Sequence, residues 1–303
     1  MTRAKEKKGM SLEATTAEIA EQGGKLIGPF RAPKNLAASA KGSIHDDETA
    51  QKLGFRGGTV AGSIHMEQFP PILMRAFGNG WWETGSLSCY FRNATLHDER
   101  VRPIVEVPAR TTDIQVPVWM ERDDGLPVLE GTASVGDPGE PTALRQRLAN
   151  LAPRGETRIL AHLEPGLKTG RFPARYSLEA NRARLEATTE PLGWYTGDSP
   201  WGGPIVNPGM AVTILRSAER GIPMRENKAV GLFGAIEVRF VAGPVFAERD
   251  YECAAELLAV GETPRSEYLW YESTLYEGER TVAAMIMMLR FMKGSSELWA
   301  RER

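Results

Sequence analysis

A doubled order of elements constrains this chain more than any other feature. Residues 46–53 have helical composition and run into the turn Gly57-Gly58-Thr59-Val60-Ala61-Gly62. An apolar segment follows, with Ile64, Met66, Phe69, Ile72, Leu73 and Phe77 near helical spacing and Pro70-Pro71 inside it. Because proline cannot sit in a helix interior, that helix must kink or start at the prolines. Four strand-like runs come next: SLSCYF, RPIVEVPA, DIQVPVWME and VLEGTASV.

The same order then recurs. SLEANRARLEATTE is helix-like and leads to Gly202-Gly203-Pro204-Ile205-Val206-Asn207-Pro208-Gly209, then to a helix expected over 210–220. Four more strand-like runs close the series: VGLFGAIEVRFVA, YECAAELLAV, SEYLWYESTLYE and TVAAMIMMLRFM. Gly57 and Gly202 lie 145 residues apart, and Gly62 and Gly209 lie 147 apart. Matching order at matching spacing indicates an internal duplication. One helix followed by long strands, twice, predicts an α+β protein in which each half wraps an antiparallel sheet around an apolar helix. The run VAAMIMMLRFM is apolar on both faces and is expected at the middle of its sheet. The Gly/Pro-rich stretch near 136–157 divides the halves. The expected division is an N-terminal segment 1–27, a first repeat 28–137, a linker 138–157 and a second repeat 158–303, with the first ten residues loose.

A net charge of −2 argues against nucleic acid as a partner, and 42% hydrophobic residues suffice for a sizeable core. Cys89 and Cys253 have no metal spacing and form no disulfide framework, so no metal or cofactor is expected. No run approaches the ~20 apolar residues of a membrane helix, and the start lacks a signal-peptide core. A cytoplasmic protein without membrane contact is the expectation.

Ile44-His45-Asp46-Asp47, Ala50, Gly54-Phe55, Gly58, Val60, Gly62 and Met66 together resemble the MaoC-like (R)-specific enoyl-CoA hydratases and acyl dehydratases. Residues 182–210, RARLEATTEPLGWYTGDSP through GGPIVNPGM, are similar to the non-catalytic halves of double-hotdog dehydratases. The resemblance implies a double hotdog and a lyase that adds or removes water at C2–C3 of an acyl thioester. It implies an acyl-CoA or acyl-carrier-protein substrate, no cofactor, and a homodimer as a common assembly. It assigns His45 as acid/base and the Gly62 N–H as donor to the enolate oxygen. The departures are specific. The family's acid lies five residues before its histidine, where this chain has Ala40; its Asn-Pro pair is Gly42-Ser43, and its His-Gly turn is Ala61-Gly62.

Half a catalytic pair leaves other residues to weigh. Asp47 is a candidate acid, although Asp46 and Asp47 also suit the first turn of a helix. His65 and Glu67 fall on the opening turn of the apolar helix, and Asp198 can supply an acid if the halves share a cleft, though Asp before Ser-Pro commonly forms a turn. Trp81 and Trp82 are candidates to line an acyl tunnel, as are Trp194, Tyr195 and Trp201, with core packing the alternative. Arg56, Arg75 and Arg92 are candidates to hold phosphate at the rim. Without the paired acid, a thioesterase, an isomerase, a natural-product cyclase or a non-catalytic ligand-binding subunit also fits, since fold does not fix function.

Overall fold

The computed structural model describes residue 11 and residues 16–224 and 229–300; the segment expected to be loose lies outside these. Strands Ala20–Gln22 (β1) and Lys25–Ile27 (β2) are joined at Gly23-Gly24, whose φ of 58° and 74° suit the tight hairpin turn only glycine enters readily. β2 pairs with a strand of the first half, from Lys25 opposite Glu106 to Ile27 opposite Ile104, so residues 20–27 form part of the sheet.

The first half continues with short helices Asp47–Lys52 (α1) and Gly62–Met66 (α2). Helix Pro70–Phe77 (α3) starts at the prolines, which occupy its first turn where no N–H is missed. Helix Trp81–Thr84 (α4) leads into strands Gly85–Phe91 (β3), Val101–Glu106 (β4), Ile114–Arg122 (β5) and Pro127–Val135 (β6). The linker forms helix Ala143–Ala149 (α5). The second half holds Phe172–Ala174 (β7), helices Leu178–Leu185 (α6) and Pro208–Leu215 (α7), and strands Gly231–Phe240 (β8), Tyr251–Glu262 (β9), Ser266–Glu277 (β10) and Arg280–Met292 (β11). The helix expected over 210–220 stops at Leu215 and tightens into a 3₁₀ turn over Arg216–Gly221.

The two expected sheets are one. Eleven strands pair in the order β1-β2-β4-β5-β6-β3-β8-β11-β10-β9-β7, and the halves join where β3 runs antiparallel to β8, from Ser86 opposite Arg239 to Tyr90 opposite Ala235. β11 lies between β8 and β10, and both of its faces are covered. Met285, Met287 and Leu289 join the main core, while Ile286 and Met288 pack with Leu144 of α5 in a second cluster on the other face. α5 is tied over the seam by buried Glu237, which accepts hydrogen bonds from Ser88 of β3 (2.8 Å) and Thr142 (2.5 Å).

The helices of the two halves meet on the opposite face. Glu67, just past α2, is buried and accepts from Arg184 of α6 at Nε (2.8 Å) and Nη2 (2.6 Å), and from the Thr188 hydroxyl (3.1 Å). Gly209, near the start of α7, leaves the space for this approach. A Cβ there would lie 2.5 Å from both the Ser63 carbonyl and the Glu67 carboxylate. Replacing Gly209 by Ala is expected to lower stability by about 1–3 kcal/mol, read as a reduced urea midpoint.

Glu190 is buried beside Arg31 (2.9 Å), and burial outweighs that cation, pushing its carboxyl up to about 7. The folded chain therefore keeps this proton to higher pH than the unfolded chain does. Its contribution is full below about 4.5 and is lost as pH rises towards about 7. Glu190→Gln should remove that part of the slope when urea stability is measured across this range; an unchanged slope would exclude the assignment.

Candidate active site

The segment carrying His45 is laced to the turn that precedes α2. The Thr59 N–H donates to the Ile44 carbonyl (2.9 Å), Asn35 Nδ2 donates to the His45 carbonyl (2.7 Å), and the Gly58 N–H donates to Asp47 Oδ1 (2.7 Å). Only glycine fits at position 58, where a Cβ would stand 2.3 Å from the His45 carbonyl oxygen. His45 Nδ1 lies 2.7 Å from the Thr59 carbonyl. A carbonyl only accepts, so Nδ1 carries the hydrogen and Nε2 of the neutral ring holds a lone pair.

Nε2 belongs to a ring that lines a cleft of about 810 Å³ shared by both halves. The cleft lies where the central strands part, since β3 and β8 stop pairing beyond Tyr90 and Ala235. Gly62 lines it as the first residue of α2, where helix geometry leaves its N–H without an intrahelical acceptor. A Cβ on Gly62 would stand 2.4 Å from the Phe91 ring, so the ring closes over the helix start only because the residue is glycine.

His65 also lines the cleft. It is buried, Nε2 lies 2.8 Å from the Thr95 hydroxyl, Nδ1 has no partner among the described residues, and burial pushes the ring down to about 4. It is therefore a neutral hydrogen-bonding group at neutral pH. The remaining ionisable side chains of the lining are Tyr90, Arg92, Arg216, Arg265 and Arg290; among the described residues no Asp or Glu lines this cleft.

No protein-family model and no curated protein matches the sequence. Solved structures do match over nearly the whole chain. One is described as a MaoC domain dehydratase from Chloroflexus aurantiacus: 14% identity, TM-score 0.56, covering 95% of this chain and 99% of that one. Another is a conserved hypothetical protein from Mycobacterium tuberculosis described as a double hotdog: 13% identity, TM-score 0.55, covering 94% and 99%. The chain is a double hotdog. A third, a MaoC-like dehydratase, matches at 12% identity and TM-score 0.50, covering 93% and 100%.

Within this double hotdog, several sequence candidates stand elsewhere. Asp46 caps α1, accepting from the N–H groups of Thr49 (3.2 Å) and Gly42 (2.8 Å), and hydrogen bonds from Thr49 foremost hold its carboxyl down to about 2. Asp47 spends Oδ1 on the Gly58 turn and does not line the cleft, so its position is that of a brace instead of a catalytic acid. Asp198 is exposed and outside the lining, because the 193–206 loop turns it to solvent. Glu67 is spent on the ion pair between halves.

Trp81 and Trp82 are buried against each other (5.0 Å between centroids) and against Phe240, with Tyr195 on Trp82; they are core and reach no tunnel. Arg56 forms a two-pronged pair with Glu99 (2.7 and 2.8 Å) outside the cleft, and Arg75 is exposed and outside it; Arg92 does line it, paired with Glu130 (3.2 Å).

The cleft residues missed in the sequence, Tyr90, Arg216, Arg265 and Arg290, come from strands and turns far from the histidine motif. One signal was present: Arg290 is the lone charge in VAAMIMMLRFM. If Asp47 braces the turn, Asp47→Ala should cost about 1–2 kcal/mol in urea unfolding and Asp47→Asn less, because Asn keeps an acceptor oxygen. Equal losses would contradict that role.

Proposed function

We propose that the cleft takes an acyl thioester and that His45 adds water to, or removes it from, C2–C3 of the acyl chain. The observation that carries this is the His45 ring, its Nδ1 fixed by the Thr59 carbonyl, in a cleft whose lining holds no carboxylate among the described residues. Two structures similar in fold are described as dehydratases, which agrees with the reaction class. In this reading the repeats are 28–137 and 158–303, and the substrate is an acyl-CoA or an acyl carrier protein.

One residue then performs both proton transfers. In dehydration, Nε2 takes the C2 proton and the electron pair moves onto the thioester oxygen. The Gly62 N–H faces that oxygen, and a donor pre-aimed at developing charge lowers the barrier. As the enolate collapses, the C3–O bond breaks and the imidazolium returns its proton to the departing hydroxide, giving water and a neutral ring. Hydration is the reverse sequence. The loss of an acid at Ala40 is thereby accommodated without a replacement.

A single base in a cleft without carboxylates also fits isomerisation, in which Nε2 carries a proton between carbons and no water is consumed. The experiment follows enoyl-thioester absorbance and identifies the product. His45→Ala should lower kcat/KM for hydration by about 10²–10⁴-fold. The wild-type rate should rise with pH through one ionisation and then hold level, where an acid–base pair would give a bell. A hydration rate untouched by His45→Ala would overturn the assignment; a shifted double bond in place of a hydroxyl would favour isomerisation.

A further inference from the structure

Arg290 lines the cleft without a carboxylate partner among the described residues, its guanidinium 5.5 Å from the Tyr90 ring centroid. It stands on β11 among apolar neighbours, and its Nη2 donates to the Tyr90 hydroxyl (2.5 Å). Its Nε is buried without a partner, and no carboxylate pairs with it among the described residues. The other lining arginines set the contrast. Arg216 is held by Glu219 (2.7 and 2.8 Å) and Arg92 by Glu130 (3.2 Å). A partly buried guanidinium without a counter-ion is costly, so a strand that keeps one is built for a charge that arrives with a ligand.

The surroundings are shaped to hold this head group in place. The β8–β11 register shifts between Met288 and Leu289, leaving Gly234 as the extra residue on β8. A Cβ on Gly234 would lie 2.8 Å from Arg290 Nε, so the bare glycine gives the guanidinium its space. The Tyr90 ring is also held by Arg147, whose guanidinium lies 3.9 Å from the ring centroid and is itself paired with Glu130 (2.8 Å). Because the Tyr90 oxygen accepts from Arg290, its own hydrogen is free to donate onward. Arg265, also without a carboxylate partner among the described residues, lies where the cleft adjoins a second hollow of about 500 Å³.

We propose that Arg290 and the Tyr90 hydroxyl form a receptor for an oxyanion carried by the bound molecule. It rests on the reading of that molecule as an acyl thioester, which offers two sources of one chemistry: a phosphate on the pantetheine arm, or a carboxylate at the far end of the acyl chain. In either case the guanidinium and the phenol donate to the same anionic group, and the charge left on β11 is neutralised.

Calorimetry with three saturated thioesters tests this: S-butyryl-pantetheine, its 4′-phosphate, and S-succinyl-pantetheine. The wild-type chain should bind one of the two anionic compounds more tightly than the uncharged one. Arg290→Gln should weaken that compound by about 10- to 100-fold and leave the uncharged one unchanged. Loss confined to the phosphate compound identifies the carrier arm; loss confined to the succinyl compound identifies an acyl carboxylate. Tyr90→Phe and Gly234→Ala should weaken the same compound, and they decide the matter if Arg290→Gln fails to fold. Equal affinity of the wild type for all three, or variants that lower all three alike or none, would overturn the receptor. The readout is affinity for compounds without a C2–C3 double bond or a 3-hydroxyl. A chain that discriminates them yet turns over no enoyl thioester would fail the hydratase assignment alone.

Discussion

The pairing of β3 with β8 is the interaction on which the rest of this molecule depends. A hotdog half ends in an edge strand, with a row of unpaired N–H and C=O groups that must be covered or matched. Here each half answers the other, residue by residue from Ser86 opposite Arg239 to Tyr90 opposite Ala235. The ladder fixes how the helices of the two halves meet, since Gly209 and Ser63 can approach only at one relative placement of the sheets. It also fixes where the cleft lies, because the cleft is the place where that ladder ends. Glu237 and α5 then hold the seam from the outer face.

Much of this was legible in the residues, for reasons that are local. Proline at 70–71 marks a helix start through its missing N–H, and the apolar run at 282–292 marks a strand covered on both sides. What stayed hidden is what depends on distant partners. That two sheets become one is a matter of which edges meet, and its mark is a pair split between the strands, buried Ser88 on β3 and Glu237 on β8, 149 residues apart. Trp81 and Trp82 could be read as tunnel or as core, with core packing favoured, because an aromatic beside a helix end looks the same in sequence whichever way its ring turns.

The site shows the same division. His45 and Gly62 sit within one short stretch and share a motif, so they could be picked out together. Arg290 stands out only in space, where it lines the cleft and no carboxylate pairs with it among the described residues. The sequence motif also placed Asp46 and Asp47 beside the histidine, yet their carboxylates are consumed by backbone N–H groups that build the turn. Adjacency along the chain supplied the scaffold of the histidine, whereas three of the four arginines of its cleft, Arg216, Arg265 and Arg290, come from the far half.

Joining the two hotdogs in one chain has a consequence for symmetry. An assembly of two identical subunits about a twofold axis must repeat every residue at both equivalent places. In this chain the cleft draws His45 and Gly62 from one copy and Arg265 and Arg290 from the other, while the helix crossing draws Glu67 from one and Arg184 and Gly209 from the other. Each position can therefore be specialised once, so that His45 stands in one half and Arg290 in the other, in halves that no longer need to resemble each other.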